Sequence, residues 1–230
     1  MKTIGLLGGM SWESTAIYYR ELNKQVQARL GGLHSAKIIL HSVDFHEIEL
    51  MMRSGDWAGI GDYLASAAKG LEKAGAELLL LCTNTIHKVA PQIEAAISIP
   101  FLHIADATAH EIKRNGLDTV GLLGTSFTME ESFLIDRFQS QGLSVLLPGP
   151  EQREIVHRVI FEELCLGKIN PDSRQAYKSI VASMAAEGAQ GVILGCTEIG
   201  NLITQGDSPV PLFDTTTIHV HMAINIALGD

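Results

Sequence analysis

The sequence has no long hydrophobic run, no cluster of basic residues and few cysteines. No apolar stretch reaches the roughly 20 residues that a transmembrane helix needs, so no membrane partner is expected. The formal net charge is -9 without any run of Lys or Arg, which argues against binding to nucleic acid or to an anionic membrane. Three cysteines, Cys82, Cys165 and Cys196, cannot form a closed set of disulfides, so at least one free thiol is expected.

Motifs for nucleotides, serine hydrolases and metals are also missing. The turn at Gly5-x-x-Gly8-Gly9 lacks the G-x-G-x-x-G order, and no Walker Lys-Ser/Thr follows it. Neither Ser11 nor Ser126 lies in a G-x-S-x-G nucleophile elbow. None of the close pairs among the nine histidines has a third ligand at useful spacing. No metal or other cofactor is therefore expected.

The composition is that of an ordinary soluble globular protein. Hydrophobic residues make up 46% of the chain and charged residues 19%, and 230 residues can bury the core of one large domain or two small ones. The chain begins with a predicted strand and lacks the pattern of a signal peptide, so cytoplasmic residence is expected.

Two segments of the first half of the chain recur in the second half. Residues 3–9 read Thr-Ile-Gly-Leu-Leu-Gly-Gly, and residues 119–125 read Thr-Val-Gly-Leu-Leu-Gly-Thr. Residues 75–85 likewise match residues 188–198, and this match aligns Thr83 with Cys196. The repeat predicts two similar lobes that face one another across a cleft.

Short apolar runs alternate with segments of helical period, a pattern typical of an α/β fold with parallel sheets covered by helices. We expect two pseudo-symmetric lobes, each a short parallel sheet flanked by helices, with the active site in the cleft between them. The N-terminal lobe is predicted to contain residues 1–98 and 209–230, and the C-terminal lobe residues 99–208. Strands are predicted at 3–7, 37–41, 77–81, 119–123, 144–147 and 190–194, and helices at 12–30, 58–74, 87–97, 106–115, 129–141, 151–167, 171–187 and 216–228.

Polar side chains and glycines follow the predicted strands, where ligands bind in parallel α/β sheets. Backbone N–H groups at these strand-to-helix junctions, together with short Asn and Thr side chains, suit a small carboxylate. The candidate lining residues at the junctions are Met10, Thr83, Asn84, Thr85, Thr125, Cys196, Thr197 and Glu198.

Cys196 is the candidate reactive group. A thiol at a helix N-terminus is expected to have a pKa below its ordinary value of about 8.5, and its thiolate could act as a nucleophile or a base. The alternative is a cysteine that packs as a small hydrophobic residue. Because strand side chains alternate, Cys82 is predicted to face the core if Thr83 faces the cleft. Cys165 lies in a helical segment and is read as packing or as part of the pocket wall.

The paired motifs resemble those of the aspartate/glutamate racemase superfamily, specifically its aspartate racemase branch, over essentially the whole chain. The residues that carry the resemblance are Gly5-Leu-Leu-Gly-Gly-Met-Ser-Trp12, Asn84-Thr85, Gly121-Leu-Leu-Gly-Thr125 with Thr128, Gly195-Cys-Thr-Glu198 and Phe213-Asp-Thr215. The resemblance implies a two-lobed fold, a cofactor-independent reaction, an amino-acid substrate and a homodimer. It also implies two cysteines on opposite faces of the α-carbon, one that removes a proton and one that returns it.

This sequence departs from the family pattern at the first cysteine, where Thr83 precedes Asn84. The resemblance implies that the second cysteine is the one that usually handles the L-enantiomer. Our hypothesis is that Cys196 removes the α-proton of an L-amino acid while Thr83, with or without a water molecule, reprotonates the opposite face. Because a hydroxyl is a far weaker acid than a thiol, a slow enzyme that prefers L over D substrates is expected.

The resemblance ranks L-aspartate and L-glutamate first among substrates. Segments in which the family places basic or amide side chains contain Met52 and Cys165 here, with Arg53 as the nearest cation, so another polar or a neutral amino acid stays possible. A broad-specificity racemase also fits the resemblance.

Two alternatives stay open. A decarboxylase or isomerase of the same superfamily would need only one catalytic cysteine, because loss of carbon dioxide leaves a carbanion without a first base. A protein that has lost catalysis would be a binder of small carboxylates.

Overall fold

The computed structural model describes residues 1–229, which form eight β-strands and eleven α-helices in two compact units. Unit 1 comprises Met1–Ile104 and the described residues from His219 onward, and unit 2 comprises Ala105–Ile218. Each unit contains one four-stranded sheet, and all described strand pairs are parallel. The predicted α/β fold with two similar parallel sheets is confirmed. None of the helices in residues 1–229 is long and apolar enough to cross a bilayer.

The sheet of unit 1 has the order β2-β1-β3-β4. Its strands are β1 (Ile4–Gly8), β2 (Ile38–Ser42), β3 (Leu78–Leu81) and β4 (Phe101–Leu102). The helices that begin in this unit before its last strand are α1 (Trp12–Leu30), α2 (Phe45–Ser54), α3 (Trp57–Lys73) and α4 (Ala90–Ala96), the last preceded by a 3₁₀ turn, Thr85–Val89.

The sheet of unit 2 has the matching order β6-β5-β7-β8. Its strands are β5 (Thr119–Leu123), β6 (Ser144–Leu146), β7 (Gly191–Leu194) and β8 (Leu212–Asp214). The remaining helices are α5 (Ile104–Arg114), α6 (Ser126–Glu130), α7 (Ser132–Ser140), α8 (Pro150–Glu162), α9 (Pro171–Ala186), α10 (Ile199–Leu202) and α11 (Thr215–Leu228), with 3₁₀ turns at Leu164–Leu166 and Gln205–Asp207. The residues of α11 from His219 onward belong to unit 1.

Side-chain alternation along the strands divides each unit into two cores. In β3, Leu79 and Leu81 pack with α2, α3 and α4, whereas Leu78, Leu80 and the following Cys82 pack with α1 and α11. In unit 2, β7 directs Val192 and Leu194 toward α8 and α9, and Ile193 toward α5 and α7. A strand covered on both faces must be apolar at every position, which explains the continuous Leu and Val runs.

The two units divide later in the chain than predicted. The sequence placed the boundaries at 98/99 and 208/209, whereas the structure places them after Ile104 and after Ile218. The reason is that two short strands were not predicted: β4 pairs with β3 of unit 1, and β8 pairs with β7 of unit 2. Because β4 pairs with β3, the residues around β4 belong to unit 1, and because β8 pairs with β7, the residues around β8 belong to unit 2.

Three histidines lie in the interior of unit 1: His87, His103 and His219, which are 2%, 4% and 0% exposed. His219 Nε2 lies 2.8 Å from the Leu102 carbonyl, which can only accept, so this nitrogen carries the proton. Its Nδ1 then accepts from the hydroxyl of Tyr18 at 2.8 Å. Burial lowers the pKa of His219 to about 3, so this ring is neutral in the folded protein at neutral pH.

We predict opposite effects for two glycine-to-alanine substitutions. Gly9 has a φ of +96°, and a Cβ there would collide with the main chain of Val43, so Gly9→Ala should lower the free energy of unfolding by more than about 1 kcal/mol. Gly70 is an exposed residue of α3 with no atom within 4 Å of its would-be Cβ, so Gly70→Ala should raise it by about 0.5–1 kcal/mol. Urea unfolding measures both. An equal effect of the two substitutions would contradict the placement of Gly9.

Burial of His219 predicts a loss of stability in acid. The pKa of a histidine is about 6.5 in the unfolded chain, so below that pH the unfolded state binds a proton that the folded state excludes until about pH 3. The contribution of His219 to the free energy of unfolding is therefore fully present above pH 6.5. It decreases as the pH falls, by about 2 kcal/mol between pH 7 and pH 5. Urea unfolding at both pH values should show this loss reduced by about 2 kcal/mol in His219→Gln.

The matched control is the exposed His110→Gln, which should keep the wild-type difference between pH 7 and pH 5. If His219→Gln kept it as well, a neutral buried His219 would be ruled out.

Candidate active site

In unit 1, the residues after β3 alternate between core and surface. Cys82 is fully buried among apolar residues, and burial raises the pKa of its thiol. Thr83 and Thr85 are half-buried, whereas Asn84 is buried. The prediction that Cys82 faces the core is confirmed. Cys82 is therefore a packing residue, and the residue that follows it, Thr83, is only partly covered.

In unit 2, Cys196 follows β7 and is half-buried against the core between α8 and α9. Its Sγ lies 2.9 Å from Oε2 of Glu198, to which the thiol donates a hydrogen bond. Thr197 lies between them, and its hydroxyl is 3.3 Å from that of Thr216. The loop therefore brings a thiol and a carboxylate into direct contact.

The prediction that the pKa of the Cys196 thiol lies below its ordinary value is wrong. Burial raises the pKa of the thiol well above its ordinary value, and the negative charge of Glu198 raises it further. The helix that follows, α10, has only four residues, so its dipole is too small to offset these effects. Cys196 is therefore a protonated thiol whose proton points at a carboxylate.

The beginning of α11 and the end of β8 support the Cys196 loop. The hydroxyl of Thr215 donates to the carbonyl of Leu194, the last residue of β7, at 3.0 Å. Gly200 packs so closely against Asp214 that a Cβ on the glycine would lie 2.7 Å from the carboxylate. Sequence reasoning used Asp214 and Thr215 for the family resemblance and assigned them no role. The close contacts appear only when β8 pairs with β7.

Thr125 and the turn after β5 lie beside the Cys196 loop. Thr125 caps α6, since its hydroxyl accepts from the N–H of Thr128 and lies 3.2 Å from the Thr128 hydroxyl. The methyl group of Thr128 would be 3.1 Å from a Cβ at Gly195. The second unit thus brings the predicted residues Thr125, Cys196, Thr197 and Glu198 to one edge of its sheet, and only a glycine at 195 allows this approach.

The other predicted binding residues lie as follows. Met10 is buried in the core of unit 1, and Met52 packs half-buried against the same core. Cys165 is exposed in the 3₁₀ turn Leu164–Leu166, close enough to Cys196 to raise the pKa of that thiol slightly. A role of these three residues in binding a substrate stays a prediction. Within residues 1–229, no three His, Cys, Asp or Glu side chains are grouped so that they could hold a metal ion.

Tyr177 adds a polar group to the wall behind Cys196. Its hydroxyl donates to the carbonyl of Val156 at 2.9 Å. Burial, with smaller contributions from Cys196 and Glu163, raises the pKa of this hydroxyl, so it stays protonated. Oε2 of Glu163 is buried and has no hydrogen-bond partner among the described residues. Tyr177 thus lies near both Cys196 and Glu163, and the carboxylate in direct contact with the Cys196 thiol is that of Glu198.

We predict that Glu198→Gln makes the thiol of Cys196 more reactive. Glutamine removes the negative charge that holds the pKa of the thiol up. The fraction of thiolate at pH 8 should rise, and alkylation by iodoacetamide should accelerate roughly tenfold. Mass spectrometry should follow the reaction in a Cys165→Ser background, because Cys165 is exposed and Cys82 is buried.

The matched control is Glu162→Gln, which alters an exposed carboxylate at the end of α8 and should leave the alkylation rate unchanged. An unchanged or slower reaction in Glu198→Gln would show that the carboxylate does not hold the proton on the thiol.

The chain is similar in sequence to known amino-acid racemases. A family model described as Asp/Glu/Hydantoin racemase matches residues 7–223. The broad specificity amino-acid racemase RacX from Bacillus subtilis (strain 168) is 22% identical over 224 residues, which cover 93% of this chain and 92% of that protein.

Solved structures show the same relationship. A protein from Yersinia pestis, assigned provisionally to the Asp/Glu racemases, is 55% identical with a TM-score of 0.96, covering 99% of this chain and 100% of that one. An aspartate racemase homologue from Pyrococcus horikoshii OT3 is 37% identical with a TM-score of 0.90 and the same coverage. The Picrophilus torridus aspartate racemase, at 18% identity and a TM-score of 0.76 over 100% of this chain and 95% of that one, shares the fold. This chain therefore belongs to the Asp/Glu/hydantoin racemase family and is a homologue of amino-acid racemases, which are isomerases.

Proposed function

We propose that this chain is a cofactor-independent racemase of L-aspartate and L-glutamate or a related polar amino acid, in which Cys196 removes the α-proton and Thr83 serves the opposite face. The observation that carries the proposal is the hydrogen bond from the Cys196 thiol to Glu198, 2.9 Å long. Inversion requires a base and an acid on opposite sides of one carbon. The repeat of the sequence gives Thr83 and Cys196 matching positions in the two units.

The proposed proton path begins with Glu198. The thiol of Cys196 transfers its proton to the carboxylate, which leaves a thiolate and a neutral acid. Arrival of the substrate ammonium group favours this step, because a nearby positive charge lowers the pKa of a thiol. The thiolate then removes the α-proton and becomes a thiol again, while the electron pair spreads into the substrate carboxylate. Backbone donors can stabilise the charge that develops there.

Reprotonation completes the reaction on the side of Thr83. The hydroxyl, or a water molecule that it holds, donates a proton to the opposite face of the carbanion. Solvent then restores the proton of Thr83, and Glu198 returns its proton to solvent. Because a hydroxyl is a weak acid, this second step should be slower than the first. Removal of the α-proton should therefore outrun formation of the D-enantiomer.

The substrate preference rests on similarity. RacX is a broad specificity amino-acid racemase, and one structural relative is an aspartate racemase homologue. Arg53 forms an ion pair with Glu49 on the exposed side of α2, and Met52 is apolar. A weakly held side chain suits a broader set of polar amino acids around aspartate and glutamate. Assembly as a homodimer and cytoplasmic residence stay predictions.

The deciding experiment follows both enantiomers of aspartate and glutamate in heavy water. Proton NMR measures loss of the α-proton, and chiral chromatography measures interconversion. The equilibrium constant between enantiomers is one, so kcat/KM for interconversion must be equal in both directions. Asymmetry should appear in the exchange, with loss of the α-proton faster from L-substrates than from D-substrates.

Substitutions should separate the two steps. Cys196→Ser should lower both exchange and interconversion by about 10²–10⁴-fold, the usual contribution of general acid–base catalysis. Thr83→Ala should lower interconversion by about 10²-fold and leave exchange from the L-substrate within about tenfold of wild type. Thr83→Cys should speed interconversion, because it supplies a second thiol. The exposed Ser179→Ala serves as the control and should behave as wild type.

Equal exchange from both enantiomers, or exchange that survives in Cys196→Ser, would refute the assignment. A chain that binds aspartate with unchanged affinity after Cys196→Ser and never exchanges the α-proton would be a binder instead.

One observation favours a second function. Cys196 is held as a protonated thiol, which suits a proton donor as well as the resting state of a base. In a decarboxylase, the bond from carbon to carboxylate breaks, carbon dioxide leaves with no need for a first base, and the thiol protonates the carbanion. Release of carbon dioxide from a disubstituted malonate, without α-proton exchange from any amino acid, would favour this alternative.

A further inference from the structure

Buried side chains hold the main chain on both sides of Thr83. The hydroxyl of Ser14, in α1, donates to the carbonyl of Cys82 at 3.0 Å. Nδ1 of His87 lies 2.7 Å from the carbonyl of Thr83 itself. These two carbonyls belong to the peptide groups that flank the Cα of Thr83. Their contacts fix the direction in which the Thr83 side chain leaves the backbone.

The partners of His87 determine which of its nitrogens carries a proton. Nε2 lies 3.2 Å from the backbone nitrogen of Ile104, which can only donate, so Nε2 accepts. Nδ1 therefore carries the proton and donates to the Thr83 carbonyl. The ring is 2% exposed, and the ring of His103 lies 4.5 Å away. Burial, together with His103 and His219, lowers the pKa of His87 and keeps the ring neutral.

The main chain near Ile104, which His87 contacts through Nε2, is itself held in place by neighbouring elements. Ile104 is the last residue of unit 1 before the chain enters unit 2. Leu102, two residues earlier, accepts a hydrogen bond from His219 at 2.8 Å. His87 thus bridges the Thr83 turn and a segment that β4 and α11 hold in place. A ring held at both nitrogens is a rigid support for a loop.

We propose that His87 is a positioning residue for Thr83: by binding the Thr83 carbonyl it sets the direction of the Thr83 hydroxyl and thereby controls reprotonation of the second face of the substrate. The inference rests on the proposed role of Thr83. His87 acts through the main chain. Its loss should therefore impair the second proton transfer and spare the first, which depends on Cys196.

Two substitutions of His87 test whether its N–H positions Thr83. His87→Asn keeps an N–H donor at the place of Nδ1, and His87→Gln puts its amide at the place of Nε2 and leaves the Thr83 carbonyl without this donor. The readout is the ratio of interconversion to α-proton exchange from an L-substrate in heavy water. We expect His87→Asn to keep this ratio within about threefold of wild type and His87→Gln to lower it about tenfold or more, since small misplacements of reacting groups cost that much.

Loss of stability alone would lower both rates in the same proportion and leave the ratio unchanged. An unchanged ratio in His87→Gln, or equal ratios in the two variants, would overturn the inference. His110→Gln is the surface control and should match wild type. Should neither variant at His87 fold, Ser14→Ala removes the donor to the Cys82 carbonyl. Ser14→Ala should also lower the ratio of interconversion to α-proton exchange. An unchanged ratio in this variant would contradict the proposal that contacts to the main chain position Thr83.

The outcome separates this inference from the proposed function. Absence of α-proton exchange in the wild type, with every amino acid tried, would refute the proposed function. If the wild type exchanges the α-proton and Thr83→Ala loses interconversion, but His87→Gln behaves as wild type, only the role of His87 is refuted. Hydrogen–deuterium exchange of the amides in residues 83–87 adds a readout that needs no activity. It should accelerate in His87→Gln and stay unchanged in His87→Asn.

Discussion

Alternation of side chains along a parallel strand decides which chemical group each unit presents at the end of its sheet. In β3 and the residue after it, every second side chain from Leu78 enters the core beside α1 and α11, and this series ends with Cys82. The next residue, Thr83, is half-buried. Under the proposed function, Cys82 therefore cannot act in place of Thr83, because a shift of one residue reverses the face. In the proposed reaction, unit 1 therefore contributes a hydroxyl and unit 2 a thiol.

The acidity of that thiol follows from its neighbours more than from its position in the fold. A strand-to-helix junction favours a thiolate only if the helix is long enough and the site open enough. Here α10 has four residues, the sulfur is half-buried, and Glu198 adds a negative charge. The same carboxylate that suppresses the thiolate is the nearest acceptor of its proton. Under the proposed function this pair rests as thiol and carboxylate and becomes reactive when a cationic amino group arrives.

Sequence patterns predicted the longer elements and the strand ends well, and failed where pairing partners decide the structure. The strand at 119–123 and the helix at 12–30 were predicted with the observed bounds. The short strands β4 and β8 escaped notice because two or three residues after a proline show no alternation. Helix α2 was also missed, although Asp44 caps its start and Gly55 closes its end with a positive φ. The acidity of Cys196 could not be predicted, because it depends on burial and on a carboxylate that folds back onto the sulfur.

The two sheets have the same strand order, but different contacts hold the loop of Cys196 and the loop of Thr83. This difference affects the chemistry that we propose for each residue. The loop of Cys196 is held by hydroxyls and a carboxylate from β8 and α11, such as the contact from Thr215 to Leu194. The loop of Thr83 is held by Ser14 and by a buried neutral His87. A thiolate is large and polarisable and tolerates small errors of position, whereas a hydroxyl must donate along one direction. Under the proposed function, the contacts of Ser14 and His87 orient the weaker acid, for which direction has to make up for low acidity.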